Sequence, residues 1–259
     1  MRPASGERLI EAASAEVLRQ IAPSGVLRAA INLGNPVLAQ KDPADSKPTG
    51  ASVELARELG RRLRVPVALV TFDAARKVVA AITSNAWDVA FLAIDPARAA
   101  EILFTAPYVI IEGTYIVRDD SPYHTVEQID RPGARIAVGK GAAYDLYLTR
   151  TLKHAELIRS ESSAGAIEFF VAAGLEAAAG VKRPLIDYAR AHAGLRVIDG
   201  RFAVIEQAVG TPSGRVAARA YLQSFVEDMK RSGFVAAALN RSDQRDAVVA
   251  PPQATWPYA

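Results

Sequence analysis

Apolar and polar positions along the chain fall into alternating helix-like and strand-like segments. Leu9, Ala13, Val17 and Ile21 recur on one helical face, which predicts an amphipathic helix within residues 1–22. After Pro23 and Gly25, the apolar run 26–31 predicts a short buried strand, closed by a Gly/Asn/Pro turn over 32–36. Residues 37–49 are polar and interrupted by Pro. Val53, Leu55, Ala56, Leu59 and Leu63 then keep a 3.6-residue period and predict a helix ending near Arg64. Further along, 67–72 reads as a strand, 74–83 as a helix, 87–94 as a strand, 96–101 as a short helix and 108–117 as another strand. This alternation predicts a βαβαβ unit, hence a parallel-rich sheet with right-handed crossovers.

A second unit starts near residue 120 and repeats the grammar on a smaller scale. Strands are expected at 135–139, 156–159, 177–181 and 195–198, with helices at 141–152, 164–173 and 183–192. The apolar stretch 202–209 is long enough to carry the chain back to the first sheet. Helices at 215–231 and 233–240 close the molecule, and the tail from Asp243, with Pro251, Pro252 and Pro257, is either loose or packed as an extended strap.

The 259-residue length fits one elaborate α/β domain or two lobes. Apolar residues make up 50% and charged ones 23%, the balance of a folding chain rather than a disordered one. Lys+Arg 31 against Asp+Glu 28 leaves only +3, with basic residues scattered among acids, so no footprint for nucleic acid is expected. Cys is absent, which removes disulfides, iron–sulfur ligation and thiol catalysis together. No segment reaches about 18 uninterrupted apolar residues, so no membrane insertion is expected. The first 22 residues contain no apolar stretch of the length export requires, so a start at Met1 implies a cytoplasmic protein.

The most specific stretch is 72–117. Gly50-Ala-Ser-Val-Glu54-Leu-Ala56 stands where a Gly-Phe-x-Val-Asp-Leu-Ala segment opens the first helix of a known family, and Asn85-Ala-Trp87-Asp88 answers that family's Gly-Lys-x-Asp turn. Asp95-Pro96-Ala97-Arg98 takes the place of its Thr-Pro-Glu-Arg. Phe104-Thr105-Ala106-Pro107-Tyr108 takes that of Phe-Ser-x-Pro-Tyr, and Ile136-Ala-Val-Gly139-Lys-Gly141 that of Val-Gly-Val-Gln-x-Gly. In this order the segments, spread over residues 26–240, resemble the type 3 extracellular solute-binding proteins, the amino-acid-binding components of ABC transporters. The resemblance implies an α/β, two-lobed periplasmic-binding-protein-like fold of type II. Lobe one would comprise 23–111 plus 206–259, after an N-terminal helix in 1–22, and lobe two 112–205. Two hinge strands near 110–116 and 201–208 would let the lobes close over a ligand. It also implies a periplasmic monomer, a permease partner and no cofactor.

By the same resemblance Arg98 holds the carboxylate of a small ligand, which its rigid fork of donors suits; a surface pairing with Asp95 or Glu101 is the alternative for that residue type. Gly141, Ala142 and Ala143 open a lobe-two helix whose free N–H groups favour an anion, or else form a plain glycine turn. Strand ends add Asn32 and Asn35, which serve either a ligand or an Asn-Pro turn, and Phe72; Lys140 and Tyr144 flank the start of the lobe-two helix, the resemblance adds Ala93 and Asp95 at its motif positions, and Tyr108 and Gln207 are lesser candidates. Two of the family's hydroxyls are missing, at Ala93 and Ala142. The acid that would receive a ligand ammonium has no counterpart in Gly174-Leu-Glu-Ala-Ala-Ala-Gly180-Val-Lys182, leaving Glu112 or Glu206 as possible replacements. The ligand is therefore read as an amino acid or a related organic acid. No catalytic or metal site is expected: His124, His154 and His192 show no ligand or triad spacing, and Ser160, Ser162 and Ser163 lie in no nucleophile elbow. A cyclohexadienyl or arogenate dehydratase on the same fold, or a ligand-sensing module that is not exported, are the rival readings.

Overall fold

The computed structural model describes residues 13–244 and 246–253. The expected contributions of Leu9 and Pro257 lie outside the described residues. From its N-terminal side the chain forms α1 (Ala15–Ile21), β1 (Leu27–Asn32), a small hairpin of β2 (Gln40–Lys41) and β3 (Pro48–Thr49), α2 (Ala51–Leu63), β4 (Val67–Phe72), α3 (Ala75–Ala80), β5 (Val89–Ala93) and α4 (Pro96–Ala99). The long strand β6 (Ile102–Arg118) leads through a 3-10 turn at Val126–Ile129 to β7 (Arg135–Gly139), α5 (Ala143–Thr151), β8 (Glu156–Ser160), α6 (Ser163–Ala173), β9 (Ala177–Val181), α7 (Lys182–Ala191) and β10 (Leu195–Val197). A second long strand, β11 (Ala203–Pro212), is followed by α8 (Val216–Arg231), α9 (Phe234–Arg241) and β12 (Val248–Val249).

Strand order β4-β1-β5-β11-β6-β9-β7-β8 makes two blocks of parallel strands. β4, β1 and β5 run parallel in one, and β9, β7 and β8 in the other. β6 and β11 join them as an antiparallel pair, with β11 laddered to β5 and β6 laddered to β9. β11 thus extends the first block and β6 the second, and the pairing of these two long strands joins the blocks into two lobes connected by two crossing strands. Their composition explains the arrangement: Val89–Ala93 is buried at every position, as a parallel strand covered on both faces must be.

β6 starts at Ile102, earlier than the expected 108, because Ile102 to Phe104 pair with Pro212 to Gly210. Pro107, which cannot donate to a ladder, sits opposite Ala208 where the register shifts. The polar segment 37–49 contains the β2–β3 hairpin, a short element without alternation to reveal it. Of the expected helix at 74–83 only Ala75–Ala80 is helical; the remainder is a turn in which Asn85 adopts a left-handed backbone (φ 49°). The described part of the tail packs as a strap: β12 pairs with Val109 and Ile110 of β6, and the Lys230 ammonium donates to the Pro251 carbonyl.

One apolar cluster runs through both lobes by way of Tyr108, Ile111 and Tyr115, while two smaller clusters serve one lobe each. The lobe-one cluster is built round Trp87, whose indole N–H donates to the Val78 carbonyl at 2.8 Å. Beside it Asp88, 0% exposed, accepts from Arg28 of β1 and from Arg215 at the start of α8.

Candidate functional site

A cleft of about 480 Å³ opens between the lobes. All six parallel strands point their carboxyl ends at it: Asn32 ends β1, Asp73 follows β4, Ala93 ends β5, Gly139 ends β7, Glu161 follows β8 and Val181 ends β9. Open α/β sheets hold ligands there, where loops and helix starts supply unpaired donors. Ile205 and Gln207 of the crossing strand β11 also line the cleft.

Arg98 is on the wall and only 3% exposed. Its position follows from local sequence. Asp95 caps the single turn of α4 by accepting from the Ala97 N–H at 2.9 Å, Pro96 supplies the first helical φ, and Arg98 is thereby turned inward. The guanidinium donates to the Ala93 carbonyl and, across the cleft, to the Gly141 carbonyl, each at 2.9 Å. Among the described residues no carboxylate forms an ion pair with it, since Asp95 pairs instead with Arg150 of α5 at 2.8 Å. Burial pushes the Arg98 pKa down to about 10, with the Asp95 charge opposing, so the side chain remains a cation at neutral pH.

Several other expected residues meet it in the cleft. Asn32 lines it while its side-chain oxygen accepts from the Gly34 N–H, so its turn role and its wall position coexist. Asn35 is on the wall with a buried Oδ1 that has no hydrogen-bond partner. Ala93, Lys140, Ala142, Ala143 and Tyr144 are wall residues as well. Among the described residues no side chain caps the N-terminus of α5, which starts at Ala143. The Tyr144 hydroxyl donates to Ser163 at 2.8 Å, and burial pushes its pKa up. Gly141 takes part through its carbonyl rather than as a wall residue.

Four expectations are corrected. Phe72 packs against the Trp87 cluster, outside the cleft, because it belongs to the apolar filling between β4 and α3. Tyr108 is completely buried in lobe one, with its hydroxyl on Ser52 at 3.1 Å and its ring edge-on to Phe91. Asp95 serves the α4 cap and Arg150 instead of the cleft. Glu112 and Glu206 do not replace the missing acid: Glu112 is held by Lys182 and Arg201, and neither residue lines the cleft.

Sequence reasoning missed the walls formed by Asp73–Ala75, Glu161–Ala164 and the α6 and α7 residues Ile167, Glu168, Pro184, Leu185 and Tyr188. The rule that found Asn32, looking just past a parallel strand, finds the first two segments when applied to β4 and β8. The helix residues carry no such signal.

The lobes touch at the cleft mouth. Arg76 of α3 forms an ion pair with Glu161, and Gly141 presses against the same arginine. Gly141 has φ 68°, and a Cβ there would sit 2.8 Å from the Arg76 Cβ. Gly141→Ala is therefore expected to lower stability by about 1–2 kcal/mol from the left-handed backbone alone, and to open the lobes besides. Urea unfolding and small-angle scattering measure the two effects; a variant as stable and as compact as the parent would contradict both.

The chain matches the sequence profile of the bacterial extracellular solute-binding proteins, family 3, over residues 27–242. It belongs to that family. Solved structures agree on the fold of this family 3 protein. It is similar to the cysteine-binding protein from Campylobacter jejuni, with 18% identity, 90% of this chain and 99% of that one covered, and a TM-score of 0.76. It is similar to AbpA, an amino acid ABC transporter substrate-binding protein from Streptococcus pneumoniae bound to L-arginine (18% identity, 86% and 96% covered, TM-score 0.74). An ancestral amino acid-binding protein, a precursor of cyclohexadienyl dehydratase, matches with 21% identity over 86% and 98% of the two chains at a TM-score of 0.72. No protein of curated function matches the chain in sequence. Among the described residues of this solute-binding protein, no helix is long and apolar enough to cross a membrane.

Proposed function

We propose that this family 3 protein is the receptor component of an ABC transporter, working as a monomer outside the inner membrane, and that it clamps a small carboxylate between lobe one (23–111 and 206–259) and lobe two (112–205). Arg98 holds the carboxylate. The observation that carries this reading is a buried guanidinium on the cleft wall, bonded to two neutral carbonyls and to no acid. Such a cation has only the unbonded charge of Asp95, itself paired with Arg150, to balance its burial, and a ligand carboxylate supplies a direct counter-charge with two charge-assisted hydrogen bonds. Because one of its present partners, Gly141, belongs to the opposite lobe, ligand binding and lobe closure act on the same side chain.

A dehydratase would require a general acid in the cleft with a raised pKa. Burial raises the pKa of Glu206, which lies outside the cleft, while on its wall Asp73 and Glu161 are paired with Lys77 and Arg76 and Glu168 is exposed to water. These placements favour the receptor.

A thermal-shift screen comparing organic acids with their methyl esters tests the proposal. An acid present at 100 times its Kd is expected to add ~2.7 kcal/mol of stability, whereas its ester adds none. Esters that stabilise as well as the acids would refute a carboxylate-holding site.

A further inference from the structure

The proposal above leaves open what else the ligand carries, and the cleft wall bears on that directly. Among the described residues three carboxylates line the cleft, all of them at its exposed rim. Asp73 is 70% exposed and paired with Lys77. Glu161 is 75% exposed, holds Arg76 and lies 4.0 Å from Lys140. Glu168 is on the exposed side of α6. No carboxylate is buried on the wall among the described residues. Apart from Ser163, the exposed Glu168 and Tyr188, the surface contributed by α6, α7 and the end of β9 is apolar, with Ile167, Val181, Pro184 and Leu185.

An ammonium brings three donors and a full charge, and burying it without an acid is unfavourable. Asn35 offers a neutral amide oxygen and no charge. The cations on the wall, Arg98 and Lys140, would repel a second cation further. Resting on the reading that Arg98 holds a carboxylate, we infer that the physiological ligand is a monocarboxylic or 2-oxo acid with an uncharged apolar body and no ammonium group. The carboxylate lies against Arg98 and the start of α5, and the body lies against the α6–α7 wall.

Pairs of compounds that differ by the amino group alone test this: 4-methylpentanoate against L-leucine, and 3-phenylpropanoate against L-phenylalanine, by isothermal titration calorimetry on the full chain. At least one acid is expected to bind about 100-fold more tightly than its amino acid. Equal or tighter binding of the amino acids, or no binding of either acid at millimolar concentration, overturns the inference. The reading beneath it fails separately, if binding survives unchanged in Arg98→Ala.

A second variant reverses the predicted preference. Val181 lines the cleft and is the N-cap of α7, where it makes no side-chain bond. Asp is favoured at such a position, so Val181→Asp is expected to fold. It places an acid on the apolar wall and should shift the acid-to-amino-acid preference toward the amino acid by tenfold or more. An unchanged ratio in the folded variant overturns the assignment of this wall to the ligand's body.

Discussion

Arg98→Ala is expected to weaken carboxylate binding about 100-fold, the loss of two charge-assisted hydrogen bonds, while changing stability by less than about 2 kcal/mol. The two stability effects oppose one another: the Ala93 and Gly141 carbonyls lose a donor, but a buried cation without an ion pair is also removed. Calorimetric titration and urea unfolding of the same preparation separate binding from folding. Arg98→Lys should fall between parent and alanine, because an ammonium keeps the charge and gives up the planar fork. The pH dependence has a definite sign. Since the folded pKa of about 10 lies below the ordinary guanidinium value, the charged guanidinium costs the unliganded fold stability at neutral pH, and that cost fades as pH rises from about 10 toward the ordinary value. A bound carboxylate favours the charged form, so affinity should be flat through neutral pH and fall above about 10. Undiminished binding by the alanine variant would remove the basis of the proposed function.

Asp88→Ala has the opposite profile, a large loss of stability with little change in affinity for the molecules that remain folded. Asp88 is completely buried, and its oxygens accept from Arg28 Nε and Nη2 at 2.9 and 2.8 Å, from the Arg28 N–H at 3.2 Å, and from Arg215 Nη1 at 2.9 Å. Removing it leaves two largely covered cations facing each other with no anion between them. Breaking a buried ion pair in this way typically costs about 3–5 kcal/mol, a large share of the ~5–15 kcal/mol by which domains are stable. The two arginines tie β1 and the start of α8 to the β5 end of lobe one, so loss should appear as a lower midpoint in urea unfolding. A change below about 1 kcal/mol would show that the carboxylate does not hold these elements together. Together the two variants separate the charge that serves a ligand from the charge that serves the fold.

Much of the architecture was legible because period carries it. The alternation of strands and helices, the α2 face of Val53, Leu55, Ala56, Leu59 and Leu63, and the apolar run of β5 all follow from which residues must leave water. The hinge strands were found, although the first was cut short at Pro107, which lacks the N–H a regular ladder needs and is accommodated opposite a register shift. For the cleft, the turn after β1 and the start of α5 were legible as strand ends and helix starts. Phe72, Tyr108 and Asp95 have the right residue types near the right strands and still miss the cleft, because a side chain's direction depends on the face it takes and the neighbours available to it. Tyr108 found Ser52, and Asp95 found Arg150, each on an element distant in the chain.

The sequence by itself determined the order of the main strands and helices, the family, and the presence of an arginine just past the end of β5. Only the tertiary structure decided what that arginine meets, since Gly141 is 43 residues away on the other lobe, and what balances Asp88, since Arg215 is 127 residues away. Periodicity reports which positions are withdrawn from water, a property of each segment. Charge partners and cleft walls are properties of segments brought together, and they exist only once the two lobes have packed.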